Sequence, residues 1–210
     1  MNGQNPNPPQ PPAPNQPQPP SPPAPQIKPV SFIFVGPIQN PAAKNLRNVC
    51  CNTVSNGTKE IQILFSSNGG DVGEGFSLYN FLRALPVKLT MHSIGFVDSI
   101  AMMVFLAGEQ RFCSSDSTFL FHDFATNFPT PGNVTRAQFA ELHRASENFR
   151  LRSQELLKLR AAFTDEDFKS LQLYDKTTIY DAGFAKKKGI VHEVKDAVIP
   201  AGSLIANVDF

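Results

Sequence analysis

Three short segments of the chain bring together residue types suited to acyl transfer. In Gly95-Phe96-Val97-Asp98-Ser99-Ile100-Ala101, a serine ends a strand-like run and opens the apolar stretch Ser99–Ala107. A hydroxyl at such a strand-to-helix junction feels the positive end of the helix dipole. The next backbone N–H points into the same space, which suits an oxyanion. The same residue could instead be an N-cap that satisfies orphan helix amides. A serine is a poor nucleophile unless a base takes its proton, and imidazole is the usual base. Of the four histidines, His122 stands at the end of a predicted strand, Thr118-Phe119-Leu120-Phe121, whereas His92 lies within a strand, His143 on a long helix and His192 near the end of the last strand. Taken singly, His122 could equally be a structural histidine. The third segment, Ser66-Ser67-Asn68-Gly69-Gly70-Asp71-Val72, joins a buried strand to a helix. Its paired glycines allow a tight turn and close approach of backbone N–H groups to a bound group, although a plain turn would use them too. It lacks the glycine spacings of dinucleotide and triphosphate loops.

The elements that must position these residues alternate. Val30–Val35 is β-branched and aromatic, Gly36-Pro37 punctuates it, and Pro41 opens a predicted helix to about Ser55. Ile61–Phe65 reads as a buried strand, Gly73–Leu85 as a helix carrying Phe76, Tyr79 and Leu82, Val87–Ser93 as a third strand and Ser99–Ala107 as an apolar helix. Strands alternating with helices at this spacing imply a largely parallel sheet with right-handed crossovers, whose strand ends share one crevice. Thr135-x-x-Gln138 resembles a capping box opening a long helix to about Ala162. Thr164-Asp165-Glu166-Asp167 caps a short helix, Gly189-Ile190-Val191 begins the last predicted strand, and 195–210 reads as a tail.

At 210 residues the chain holds one ordinary domain. A net charge of +1 gives no strong field that would favour nucleic acid or an anionic membrane as partner. Cys50, Cys51 and Cys113 lack paired metal-ligand spacing and read as reduced thiols, so neither a metal nor a cofactor is expected. No apolar run reaches the length of a membrane span and the N-terminus lacks a signal-peptide pattern, so a cytoplasmic protein is expected. Residues 1–26 are almost entirely Pro, Asn, Gln, Ala and Ser, a composition that predicts an extended, partly polyproline II tail. It could be a solvated leader or a ligand for an aromatic groove.

The ordered motifs SSNGGDV, GFVDSIA, Ala107-Gly108, Arg111-Phe112 and FHDF resemble the Clp peptidase family over roughly residues 31–194. The resemblance implies an α/β fold of ClpP/crotonase-like repeated β-α units with a protruding handle helix, the handle being 135–162. It divides the chain into a disordered Pro-rich tail (1–27), a peptidase domain (28–196) and a C-terminal tail (197–210). It implies Ser99 as nucleophile, His122 as general base, and the Gly70 and Ile100 amides as oxyanion donors. Asn68 replaces the proline usual in the glycine turn and tolerates turn conformations. Aligned without gaps onto Gly189-Ile190-Val191, the family's acidic triad position holds Thr177, which can orient an imidazole but cannot stabilise imidazolium as a carboxylate does. Asp175, two residues earlier, is the nearest carboxylate and the triad member expected here; Asp181 is a more distant substitute, and both could be solvated loop residues. The resemblance further implies a homo-oligomeric ring, an AAA+ unfoldase partner and unfolded polypeptide substrates. Two other readings are a catalytically weakened structural or regulatory ring subunit, motivated by Thr177, and a crotonase-type acyl-CoA enzyme, which shares the paired backbone amides.

Overall fold

The computed structural model describes residues 29–124 and 134–210. The expected Pro-rich tail, 1–27, lies outside the described residues. Apolar strands and amphipathic helices alternate from the start: β1 (Val30–Val35), α1 (Asn40–Ser55), β2 (Glu60–Ser67), α2 (Val72–Ala84), β3 (Lys88–Asp98) and α3 (Ala101–Phe105). Next come β4 (Gln110–Cys113), β5 (Thr118–Phe121), α4 (Arg136–Arg160), α5 (Asp165–Ser170), β6 (Thr178–Asp181), α6 (Ala182–Lys187), β7 (Glu193–Val194) and β8 (Leu204–Asn207). Proline in the first turn of α1 removes an N–H that would be orphaned there anyway. Asp71 caps α2 by accepting the Glu74 N–H at 2.7 Å.

The strands form one mixed sheet in the order β6-β5-β3-β2-β1-β8, with β4 paired to β3 and β7 to β4. Every pairing is parallel except β5 with β6. Parallel strands are covered on both faces, which is why β1 and β2 read as near-continuous apolar runs. Phe34 and Phe65 stack with ring centroids 5.3 Å apart, and Phe105 of α3 meets Phe119 of β5 edge-on at 6.1 Å. All five residues of α3 are buried. Each large side chain withdrawn from water in this way contributes about 2–3 kcal/mol.

β3 changes partner midway. Its Thr90–Ser93 half pairs with β4 and its Phe96–Asp98 end pairs with β5. The register against β2 shifts between Phe65 and Ser67, and the Ser66 hydroxyl accepts the Phe96 N–H at 3.1 Å across the irregularity. A bulge bends the strand and re-aims the residues beyond it. Ser99 is among them.

A second polar cluster lies behind β4. Arg111, 3% exposed, donates through Nε to the Ile190 carbonyl at 2.8 Å, through Nη1 to Gly108 at 2.8 Å, and through Nη2 to Arg160 at 2.7 Å and Gly189 at 3.1 Å. One guanidinium thus ties the end of α4, the turn after α3 and the segment before β7 together. Burial first, then the Arg160 and Arg83 cations, lowers its pKa to about 10.

α4 has the expected capping box, Thr135 with Gln138. Its fully buried residues are Ser153 and Leu157, while Phe139, Leu151 and Leu159 are exposed, so the helix projects from the sheet as the handle expectation requires. Four sequence expectations differ from the structure. α3 begins at Ala101 rather than Ser99, because Ser99 has a left-handed backbone (φ 57°) that cannot continue a helix. The short strands β4 and β6 were not expected; β6 takes its conformation from antiparallel pairing with β5. The last predicted strand begins at Glu193, since Gly189 has φ 66° and 190–191 bond to the Ala185 carbonyl. The expected C-terminal tail supplies β8, parallel to β1, and the Phe210 ring packs edge-on against Phe34 at 5.1 Å.

Candidate active site

The candidate site forms at the C-terminal ends of adjacent strands, where open α/β sheets place their crevices. β3 delivers Asp98 and then Ser99, and the Ser99 N–H donates to the Leu120 carbonyl of β5 at 2.9 Å. His122 comes directly after β5 and is half-buried. Ser99 and His122 therefore leave neighbouring parallel strands at the same level, although 23 residues separate them in sequence. A non-glycine residue in the left-handed region costs of order 1–3 kcal/mol and persists only where surrounding packing enforces it. Such a turn lifts a serine side chain off the end of a strand, the arrangement of a nucleophile elbow.

The glycine turn closes over the same place. The Ile38 N–H donates to the Gly69 carbonyl at 2.7 Å and the Asp71 N–H to the Ile38 carbonyl at 2.7 Å, forming a short parallel bridge centred on Gly70. Both bonds use the neighbours of Gly70, so its own N–H faces away from Ile38. A Cβ added to Gly70 would lie 2.1 Å from the Ile38 oxygen, and one added to Gly69 would lie 2.8 Å from Ser99 Cβ and 3.3 Å from its Oγ. Glycine is required at both positions, and the turn packs directly on the serine. Among the described residues, neither the Gly70 N–H nor the Ile100 N–H has an acceptor. Two donors free beside a strained serine can receive charge that develops on a bound carbonyl oxygen.

The other expected residues sit in or beside β6. Phe121 pairs with Thr178 across the antiparallel β5–β6 ladder, so the next pair in register is His122 opposite Thr177. Thr177 is exposed. Asp175 is exposed in the turn before β6, its N–H bonded to the Gln172 carbonyl at 3.0 Å. Its charge, with that of Asp123, falls on Arg150, whose pKa is raised first by its bond to Glu147 and then by these carboxylates. Asp181 pairs with Thr118, at the opposite end of β5 from His122, and caps α6 by accepting the Phe184 N–H at 2.8 Å. It is a structural cap and does not serve the site. Among the described residues no hydrogen bond joins His122 to Ser99, Asp175 or Thr177. Catalytic hydrogen bonds are often long until substrate binds.

Asp98 was not singled out by its sequence. It is partly buried, and its Oδ1 has no hydrogen-bond partner among the described residues. Burial raises its carboxyl pKa; the Leu120 amide and the His122 ring pull it down. The thiols offer no competing nucleophile in the core, since burial pushes Cys50 up to about 12 and Cys113 up to about 11. Among the described residues, no cluster of His, Cys, Asp or Glu is arranged to hold a metal ion, and no helix is long and apolar enough to cross a membrane.

A family model described as Clp protease matches residues 30–198. The ATP-dependent Clp protease proteolytic subunit 2 of Borreliella burgdorferi is 28% identical over 139 residues, covering 65% of this chain and 67% of that protein. The ATP-dependent Clp protease proteolytic subunit 3 of Rhizobium johnstonii is 25% identical over 173 residues, covering 80% and 84%. Among solved structures, a mutant of ClpP1 from Listeria monocytogenes superposes with a TM-score of 0.69 at 19% identity, covering 80% of this chain and 91% of that one. At that identity the likeness concerns the fold.

Proposed function

This chain belongs to the Clp protease family, and we propose that it acts there as a serine-type endopeptidase subunit cutting unfolded polypeptides through an acyl-enzyme. The observation that carries this reading is Ser99, held at φ 57° at the strand end next to His122, beside two backbone amides that have no acceptor among the described residues. Ser99 Oγ attacks the scissile carbonyl carbon while His122 takes the hydroxyl proton. The resulting oxyanion accepts N–H bonds from Gly70 and Ile100. Collapse breaks the C–N bond, and His122 returns the proton to the leaving amine. Water, deprotonated by His122, then releases the acyl group from Ser99.

The relatives supply the setting. They are proteolytic subunits of ATP-dependent proteases, and this chain would correspondingly work in a homo-oligomeric ring fed by an AAA+ unfoldase; a cytoplasmic location is part of the same proposal. The exposed apolar residues Phe139 and Leu159 of the projecting α4 favour assembly through that helix. A second reading, a ring subunit with weakened catalysis, is favoured by Thr177 standing where the family has its acid. Fluorophosphonate labelling of the assembled full chain separates the two. The peptidase reading expects covalent labelling of Ser99, lost in Ser99→Ala; an unlabelled wild-type ring sinks it and leaves the structural subunit.

A further inference from the structure

We propose that Asp98 is the carboxylate that orients His122, a positioning residue standing where the alignment offers only Thr177. The inference rests on the peptidase reading above and adds a third member to it. Asp98 pairs with Leu120 in the parallel β3–β5 ladder, so the two side chains share a face of the sheet. His122, two residues beyond Leu120 and one past the end of β5, falls on that face by continuation of the pleat. Diagonal neighbours of this kind lie roughly 7–8 Å apart at Cα, within reach of a carboxylate and an imidazole.

The usual employment of an aspartate before a helix is absent. The N-cap of α3 is Ile100, with no side-chain cap bond, and the Met102 N–H goes to the Ser99 carbonyl. Instead, Asp98 Oδ1 is buried without a partner among the described residues. An unsatisfied buried acceptor is costly to keep, and a native structure that keeps one commonly uses it. Beyond the Leu120 amide, the titratable side chain among the described residues whose charge acts on this carboxyl is that of His122. Of the other carboxylates near His122, Asp181 caps α6 at the far end of β5, and Asp175 is exposed in the turn before β6.

When Ser99 passes its proton to His122, the ring becomes imidazolium and Asp98 Oδ1, without a partner among the described residues at rest, gains one. The stabilisation appears in the transition state, where it accelerates the reaction. Neutral Thr177, opposite His122 just before β6, stays exposed to solvent.

The test compares rates of fluorophosphonate labelling at Ser99 in the full chain. Asp98→Asn keeps shape and removes charge, and should slow labelling by about 100- to 10,000-fold, while Thr177→Val stays within about twofold. Asp98→Ala opens space that free formate can enter, and formate should restore part of its labelling, which a merely structural role would not allow. Wild-type labelling with an unchanged Asp98→Asn rate overturns this proposal and leaves the peptidase reading intact. A slowed Asp98→Ala that formate leaves unchanged also overturns it. No labelling of the wild type removes both. Should Asp98→Asn fail to fold, formate rescue of Asp98→Ala decides, and a folded Thr177→Val slowed as much as Asp98→Ala returns the role to the family's position.

Discussion

The Arg111 cluster and the Ser99 turn hang on the two halves of β3 and treat polar groups in opposite ways. Behind β4, one buried guanidinium satisfies four carbonyls. At the other end the serine backbone is strained, two amides have no acceptor among the described residues, and one carboxylate oxygen is buried alone. The first arrangement contributes stability; the second sacrifices some of it and keeps donors aimed at a group that arrives later. The same strand can do both because its bulge changes partners from β4 to β5.

The comparison breaks most readily at the glycine turn. Gly70→Ala would force Cβ against the Ile38 oxygen and swing away an oxyanion donor, so peptide turnover should fall by about 10²–10³ in a kinetic assay. If turnover is unchanged, the free amide is not a working donor. Arg111→Met should leave the Ile190, Gly189 and Arg160 carbonyls without this donor, while Gly108 keeps its bond from Arg160 Nη2, and cost about 3 kcal/mol or more in denaturant unfolding, without touching Ser99. Activity lost at constant stability would mean that the two clusters are coupled.

The remaining tests sharpen the contrast. Ser99→Gly and Ser99→Ala both remove the hydroxyl, but only glycine relaxes the left-handed backbone. The glycine variant should therefore be the more stable by about 1 kcal/mol. The smallest effect concerns acid. Burial holds buried His92 below its ordinary value of 6.5, with the Lys195 cation adding to the push, while its bond to the Lys195 carbonyl opposes it. Below that pH the unfolded chain takes up a proton that the folded chain resists, so stability declines as pH falls through this window. His92→Phe should flatten the pH dependence of the unfolding midpoint, though His192, also held low by burial and by Arg111 and Arg160, will keep part of it.

The features readable from sequence were local. The VSFIFV and IQILF runs, the capping boxes at Thr135 and Thr164, and the turn signals around Asn56-Gly57 each act within a few residues, and each appears in the structure. Ser99 and His122 stood out because strand ends are recognisable and the motif order is specific. The features that escaped depend on distant partners. β8 exists because β1 lies beside it, some 170 residues earlier in the chain. β6 exists because β5 does. Asp98 looked like one more letter of GFVDSIA, and gained meaning only when the register set it beside Leu120 and so diagonal to His122.

That late strand has a colloidal consequence. β1 is a six-residue apolar strand, and without β8 its outer N–H and C=O groups would form an adhesive margin for any other chain with a free strand. β8 covers Val30–Ile33 and replaces that margin with its own four-residue edge, closely preceded by Pro200 and Gly202. The segment after 196 thus acts as a selvedge along the β1 side of the sheet. Cutting the chain back to about residue 200 would be felt first as turbidity, before any change in the chemistry at Ser99.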